Sequence, residues 1–297
     1  MKEGEFMNNN FNEETIDVNT SDVTSTSCEI EYTSKHYLNA IIIYFAVMYV
    51  GASVVQSLLM GVYKLIYDLP ISYTDPNGVI QFYPHFMDFI NLWTQILVYA
   101  LIFVVLFFML KKVFLSDINR SKNDMKNTFK QAGLGILYVY AASYACNIVL
   151  SLLQITEDSE NQDAIVSMLS SPNVLAIILY IVVLVVLAPI VEELIFRKAM
   201  FGYMKKYNLS EKKKILISGI IFGGIHVATA ILSMILEQAG IIEIGTEIIL
   251  GIPYCVMGVV LGYIYSKSEE NVIVPTLVHM FNNALSVISI FLLMNMQ

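Results

Sequence analysis

The stretch VLAIILYIVVLVVLAPIVEELIFR, Val174 to Arg197, runs apolar as far as Val191 and then sets two carboxylates and a guanidinium close together. A helix that crosses the hydrocarbon core of a bilayer needs about 20 predominantly apolar residues. This stretch is long enough to be one. Backbone in lipid must satisfy its own hydrogen bonds, and the run is too long and too uniform for a barrel strand. Similar runs flank it on both sides, and the expected spans are residues 37–67, 88–110, 132–155, 174–197, 214–236, 246–266 and 273–295. The fold class read from them is all-α: a polytopic membrane protein with about seven transmembrane helices and an intramembrane site. No internal repeat is evident, so a two-fold carrier architecture gains no support.

Composition agrees. Of 297 residues, 57% are hydrophobic and 14% charged, where soluble chains carry about 25% charge. So few charges cannot coat a soluble surface. A net charge of −8 with 17 Lys and Arg also speaks against a nucleic-acid partner. The expected partners on these grounds are membrane lipids. Cys28, Cys146 and Cys255 lie far apart and form neither a disulfide framework nor a metal knuckle. Residues 1–36 are polar and acidic and are expected to be a disordered cytoplasmic tail, without a cleaved signal peptide. Residues 37–297 form the expected transmembrane domain.

Charge sorting orients the spans. Lys111, Lys112, Arg120, Lys122, Lys126 and Lys130 crowd one expected loop, 111–131. Arg197, Lys198, Lys205, Lys206, Lys212, Lys213 and Lys214 crowd another, 197–214. With Lys2, Lys35 and Lys267, every basic residue but Lys64 falls on one side if the helices alternate. The other side holds Asp68, Asp75, Asp88, Glu157, Asp158, Glu160, Asp163, Glu237, Glu243 and Glu247. The expectation is a cell-membrane protein with a cytoplasmic N-terminus and an external C-terminus.

A charge within the bilayer costs at least ~2.5–3.5 kcal/mol on insertion scales, so charged groups inside apolar runs are functional candidates. Glu193 and Arg197 are spaced i,i+4 with the acid first, the favourable order for an ion pair. Neighbouring helical residues point about 100° apart, which leaves Glu192 as the freer carboxylate. Pro189 is expected to kink or break this helix. In the fifth span Phe222 and His226 share a face, beside Gly223 and Gly224, which would admit a close neighbour. In the seventh, His279 and Asn283 share a face, and Asn282 lies off it. Counted at about 1.5 Å per residue from the basic ends, Glu192 lies roughly 9 Å deep and His226 roughly 18 Å deep. Counted from the loop near Asn271, His279 lies about 12 Å in and Asn283 about 18 Å in. All four fall in the cytoplasmic half of the membrane. Each residue alone would serve equally well as glue between helices. His36 and His85, in tail and loop, are expected to be solvated.

A carboxylate, two imidazoles and a carboxamide without a nucleophilic Ser or Cys make water the natural attacking group. Glu192 is the expected general base, helped by His226. His279 and Asn283 would donate to the oxygen that gains charge. Glu192, His226 and His279 could alternatively hold zinc, and the residues leave metal-bound and direct water both open.

Glu-Glu-x-x-x-Arg (192–197), Phe-x-x-x-His (222–226) and His-x-x-x-Asn (279–283), in that order on separate helices, resemble the CPBP (CAAX protease and bacteriocin-processing, or Abi) intramembrane proteases. The resemblance covers about residues 170–290. It implies an intramembrane endopeptidase acting at the cytoplasmic side on a peptide or membrane-protein substrate, with Glu192, His226, His279 and Asn283 catalytic and Glu193, Arg197 and Phe222 in support. It implies CAAX-type processing, bacteriocin maturation or self-immunity as roles, and it carries both metal-dependent and metal-free mechanisms. A non-catalytic immunity or binding protein using the same groove is a second reading, and a proton-coupled transporter a third.

Overall fold

The computed structural model describes residues 32–67, 69–155 and 157–296. Most of the expected tail, residues 1–31 with Lys2, and Asp68 of the acidic set lie outside the described residues. Among the described residues, seven helices are long and apolar enough to cross a membrane. They are α1 (Ser34–Tyr67), α2 (Pro84–Asn123), α3 (Met125–Leu152), α5 (Val174–Tyr207), α6 (Glu211–Leu236), α7 (Ile241–Lys267) and α8 (Ile273–Met294). A short helix, α4 (Glu160–Leu169), sits between α3 and α5. A small antiparallel hairpin, β1 (Ser72–Thr74) and β2 (Ile80–Phe82), joins α1 to α2. The chain is an all-α polytopic integral membrane protein.

The helices outrun the apolar stretches. The basic segment 111–131, expected as a loop, is the end of α2 and the start of α3, joined at Asp124. The Asp124 carboxylate caps α3 by accepting from the Asn127 amide at 3.3 Å. Lys and Arg favour helix, so a helix need not stop where the lipid does. The same holds at 197–214, where α5 continues to Tyr207 and turns through Asn208 at φ 49°. At the other end α7 begins at Ile241, ahead of the expected 246. Glu247, expected in an outer loop, therefore lies within a helix at 3% exposure. His36 is not a solvated tail residue. It sits in α1, its Nε2 is 2.6 Å from the Met109 carbonyl, and its ring stacks on Tyr32. His85 is exposed but stacks on Tyr63 and Tyr83.

Helix α5 forms the centre of the bundle. Val191, Leu194, Ile195, Phe196 and Ala199 are fully buried and share a core with Tyr44 of α1 and Ile102, Leu106 and Leu110 of α2. Pro189 does not break α5. A π-helical turn, Val183–Leu187, precedes it, and another, Leu194–Ala199, follows the two glutamates. Such single-turn widenings recur at functional sites. Helices α6 and α7 meet at glycines, because a side chain at Gly219 or Gly223 would strike the backbone of Val259 or Cys255. Gly224 faces open space, so only Gly223 of the expected pair provides close approach.

The basic end of the bundle is closed by charge pairing. Lys198 Nζ lies 2.6 Å from Asp117 Oδ2 and donates to the Glu270 carbonyl at 2.7 Å. Asp117 also accepts from Arg120 at 3.1 Å and from the Val272 amide at 3.0 Å. Asn271 donates to Ser121 at 2.9 Å. These bonds tie together α2, α5 and the turn that leads into α8.

Candidate active site

The two glutamates lie between the π-helical turns of α5, both buried. Glu193 is 0% exposed and pairs with Arg197, Oε2 to Nε 2.9 Å. Arg197 also donates to Ser218 on α6 at 2.7 Å, and Ser218 donates back to the Phe196 carbonyl at 2.7 Å. The guanidinium lies over the Phe222 ring, 5.3 Å from its centre. A charge pair sealed from water needs its remaining donors satisfied. Ser218 and Phe222 meet that need here.

Neighbouring glutamates on one helix do not point the same way, yet both address His279. Glu193 Oε1 accepts from His279 Nδ1 at 3.1 Å. Glu192 Oε2 lies 3.8 Å from His279 Nε2. The imidazole is thus held at one nitrogen and presents the other to the Glu192 side. Glu192 is 6% exposed, and Tyr99 of α2 lies near it.

His226 on α6 is fixed differently. Its Nδ1 lies 2.8 Å from the Phe222 carbonyl. A carbonyl can only accept, so the proton sits on Nδ1 and Nε2 is left as an acceptor. The ring stacks on Tyr254 of α7, centres 4.8 Å apart and planes 12° apart. Phe222 packs against both histidines.

Asn283 also supports α5 where Pro189 interrupts its hydrogen bonding. In the π-helical register the Ala188 amide bonds the Val183 carbonyl, so the next amide would come from Pro189, which has none. Asn283 Nδ2 donates instead to the orphaned Leu184 carbonyl at 2.9 Å. One carboxamide hydrogen remains. Asn282, set aside on helical-wheel grounds, is on the cavity wall and donates weakly to Asn283 Oδ1 at 3.4 Å.

Glu192, Phe222, His226, His279 and Asn283 all line one cavity of about 520 Å3. The cavity runs from Glu192 past Ser233 and Ile290 to the N-terminus of α4, and so away from the basic end. Tyr44, Gln95, Tyr99, Tyr254 and the α4 residues Glu160 and Asn161 also line it. Sequence reasoning did not single these out. Their types are ordinary in membrane helices, and only the packing shows which face the cavity. Glu192, His226 and His279 do not fit a metal as arranged. Among the described residues no three His, Cys, Asp or Glu side chains converge as a metal site.

Residues 174–285 match the family described as "Type II CAAX prenyl endopeptidase Rce1-like". A curated protein of Mycoplasma capricolum subsp. capricolum, described as uncharacterized, is 27% identical over 217 residues. The alignment takes in 68% of this chain, and the chain spans 56% of that relative's length. No solved structure matches. The Rce1-like match covers α5 through most of α8, the helices that carry all three motifs, and over that region the chain is similar to the CAAX prenyl endopeptidases of the CPBP family.

Proposed function

We propose that the protein is an intramembrane endopeptidase that hydrolyses a peptide bond with water activated by Glu192. The Rce1-like match supports an intramembrane protease in general terms. The observation that carries the finer reading is the triplet at the cavity floor: a buried carboxylate beside two imidazoles, each tied at Nδ1 and presenting Nε2.

In this reading Glu192 takes a proton from water as it attacks the carbonyl. His226 Nε2 accepts the second water hydrogen and orients the nucleophile. Protonated His279, balanced by Glu193 at Nδ1, donates from Nε2 to the oxygen that becomes negative, and Asn283 offers its remaining hydrogen. Arg197 holds Glu193, and Phe222 packs the two rings in register. The proton on Glu192 then passes to the leaving amine. Atoms balance as simple hydrolysis, with one water added across the C–N bond. In this reading, supported by the sorting of basic residues to one side, the chemistry belongs to the cytoplasmic half of a cell membrane, with the N-terminus inside and the C-terminus outside. A polar N-terminal tail, ending where α1 begins at Ser34 and not at 36, and a transmembrane domain that runs from there to 297 complete the proposed organisation.

The test compares peptide termini in membranes holding equal amounts of wild type and Glu192→Ala. New termini made by wild type alone establish proteolysis and identify the substrate. A prenylated CAAX peptide is the first defined substrate to add, since the matched family is described by that activity. His226→Ala and His279→Ala are expected to abolish cleavage while the protein stays folded in the membrane. Matching termini in all variants would overturn the reading in favour of a binding protein.

A further inference from the structure

Tyr254 touches two things at once. Its ring stacks on His226, while its hydroxyl reaches out of the membrane helices to the start of α4. That hydroxyl accepts from Asn161 Nδ2 at 3.1 Å and shares a hydrogen with Ser159 Oγ at 2.9 Å. Ser159 is the residue that caps α4, accepting from the Gln162 amide at 3.3 Å. A second hook lies alongside, where Glu247 Oε2 accepts from the Glu160 amide at 3.4 Å. The other oxygen, Glu247 Oε1, is buried with no partner among the described residues. The hook is therefore incompletely satisfied, and an open arrangement that lets water reach this oxygen gains back part of what closure costs. Helix α4 covers the cavity. Ala164, Ile165 and Met168 line it, and Leu169 packs on Val287 and Ile290.

We propose that Tyr254 is a positioning residue that couples the seating of α4 over the cavity to the placement of the His226 ring. His226 is held by one backbone hydrogen bond and by rings on its flanks, so a shift of Tyr254 moves the imidazole. When α4 lifts, the Tyr254 hydroxyl loses Ser159 and Asn161 together, and the ring is free to leave the stack. Seating α4 then does two things: it closes the cavity and it sets the imidazole. The catalytic meaning rests on the protease reading above; the coupling between α4 and the imidazole does not need it.

Two readouts in nanodiscs test this without a substrate. The first is the imidazole NMR signal of His226 in histidine-labelled protein, identified among the four histidines by its loss in His226→Asn. The second is the rate at which maleimide modifies Val287→Cys, with Cys28, Cys146 and Cys255 changed to Ala. Val287 lines the cavity and is buried beneath α4. In Ser159→Ala/Asn161→Ala, which removes both hydrogen bonds to the Tyr254 hydroxyl, the His226 signal should move, and modification should quicken roughly fivefold or more, the effect that even one lost hydrogen bond has on the closed state. Tyr254→Phe should act in the same direction, and adding it to the other two should change little, because the two bonds it removes are already lost with the Ser159 hydroxyl and the Asn161 carboxamide. Ser159→Thr, which keeps the hydroxyl, should restore wild-type behaviour. A His226 signal that stays in place while modification quickens overturns the coupling. Unchanged modification overturns the latch, and additive effects overturn the shared path. If Glu192→Ala leaves peptide termini unchanged, the protease reading fails while both readouts still report on the latch.

Discussion

The two ends of the bundle are built on different principles. At the basic end Asp117 meets Lys198, Arg120 and a backbone amide, and Asn271 and Ser121 bond each other beside them. At the end that carries α4, the links are single neutral bonds and one carboxylate–amide contact at 3.4 Å. Among the described residues, buried side-chain oxygens go unmatched toward both ends, Glu247 Oε1 and Thr94 Oγ1 on the α4 side and Gln131 Oε1 on the basic side, so the contrast rests on the charge pairing. The difference says which end holds and which end yields. A charge pair removed from water is costly to break from one side, whereas a neutral hydrogen bond contributes about 1 kcal/mol net. The cavity from Glu192 leads to the weaker end.

The sharpest way to break this comparison is Asp117→Asn, which leaves the Lys198 ammonium without its carboxylate. Loss of about 3–5 kcal/mol is expected, as for one partner of a buried pair, read as a fall in the midpoint of thermal unfolding in detergent. A change below about 1 kcal/mol would mean that this end is no better held than the other. Asn271→Ala should come next, costing about 1–3 kcal/mol because Ser121 and the Ile273 amide each lose a partner. The same unfolding scan checks it. Thr94→Val, toward the α4 end, is expected to have the smallest effect and the opposite sign. Removing a buried hydroxyl that has no partner among the described residues should be neutral or stabilise by up to about 1 kcal/mol. A clear destabilisation would show that the hydroxyl has a partner, and the contrast between the ends would narrow.

Much of this molecule was legible as a string. The apolar runs identify the spans because lipid allows little else, and the depth count put Glu192, His226, His279 and Asn283 in the same half of the membrane. The ends of the helices were not legible. Hydropathy marks where lipid stops, and the basic residues of 111–131 prolong a helix without burying anything. Helix α4 escaped for a related reason: ten residues of mixed polarity carry no membrane signal. The partners of the site residues were hidden too. Tyr99 and Tyr254 are two of 18 tyrosines, and nothing local distinguishes them from tyrosines of the interfacial belt.

The sequence by itself determined the class of the protein, the order of its helices and the types of side chain that meet within the membrane. The cost of charge in lipid and the need to satisfy backbone polar groups act on each segment separately, so they can be read one segment at a time. Tertiary structure decided that Glu192 and Glu193 address opposite nitrogens of His279, that Asn283 takes the carbonyl Pro189 leaves vacant, and that the cavity runs toward α4. Those outcomes depend on how helices distant in sequence pack against each other, and a short-range contact of that kind leaves no trace in either helix read alone.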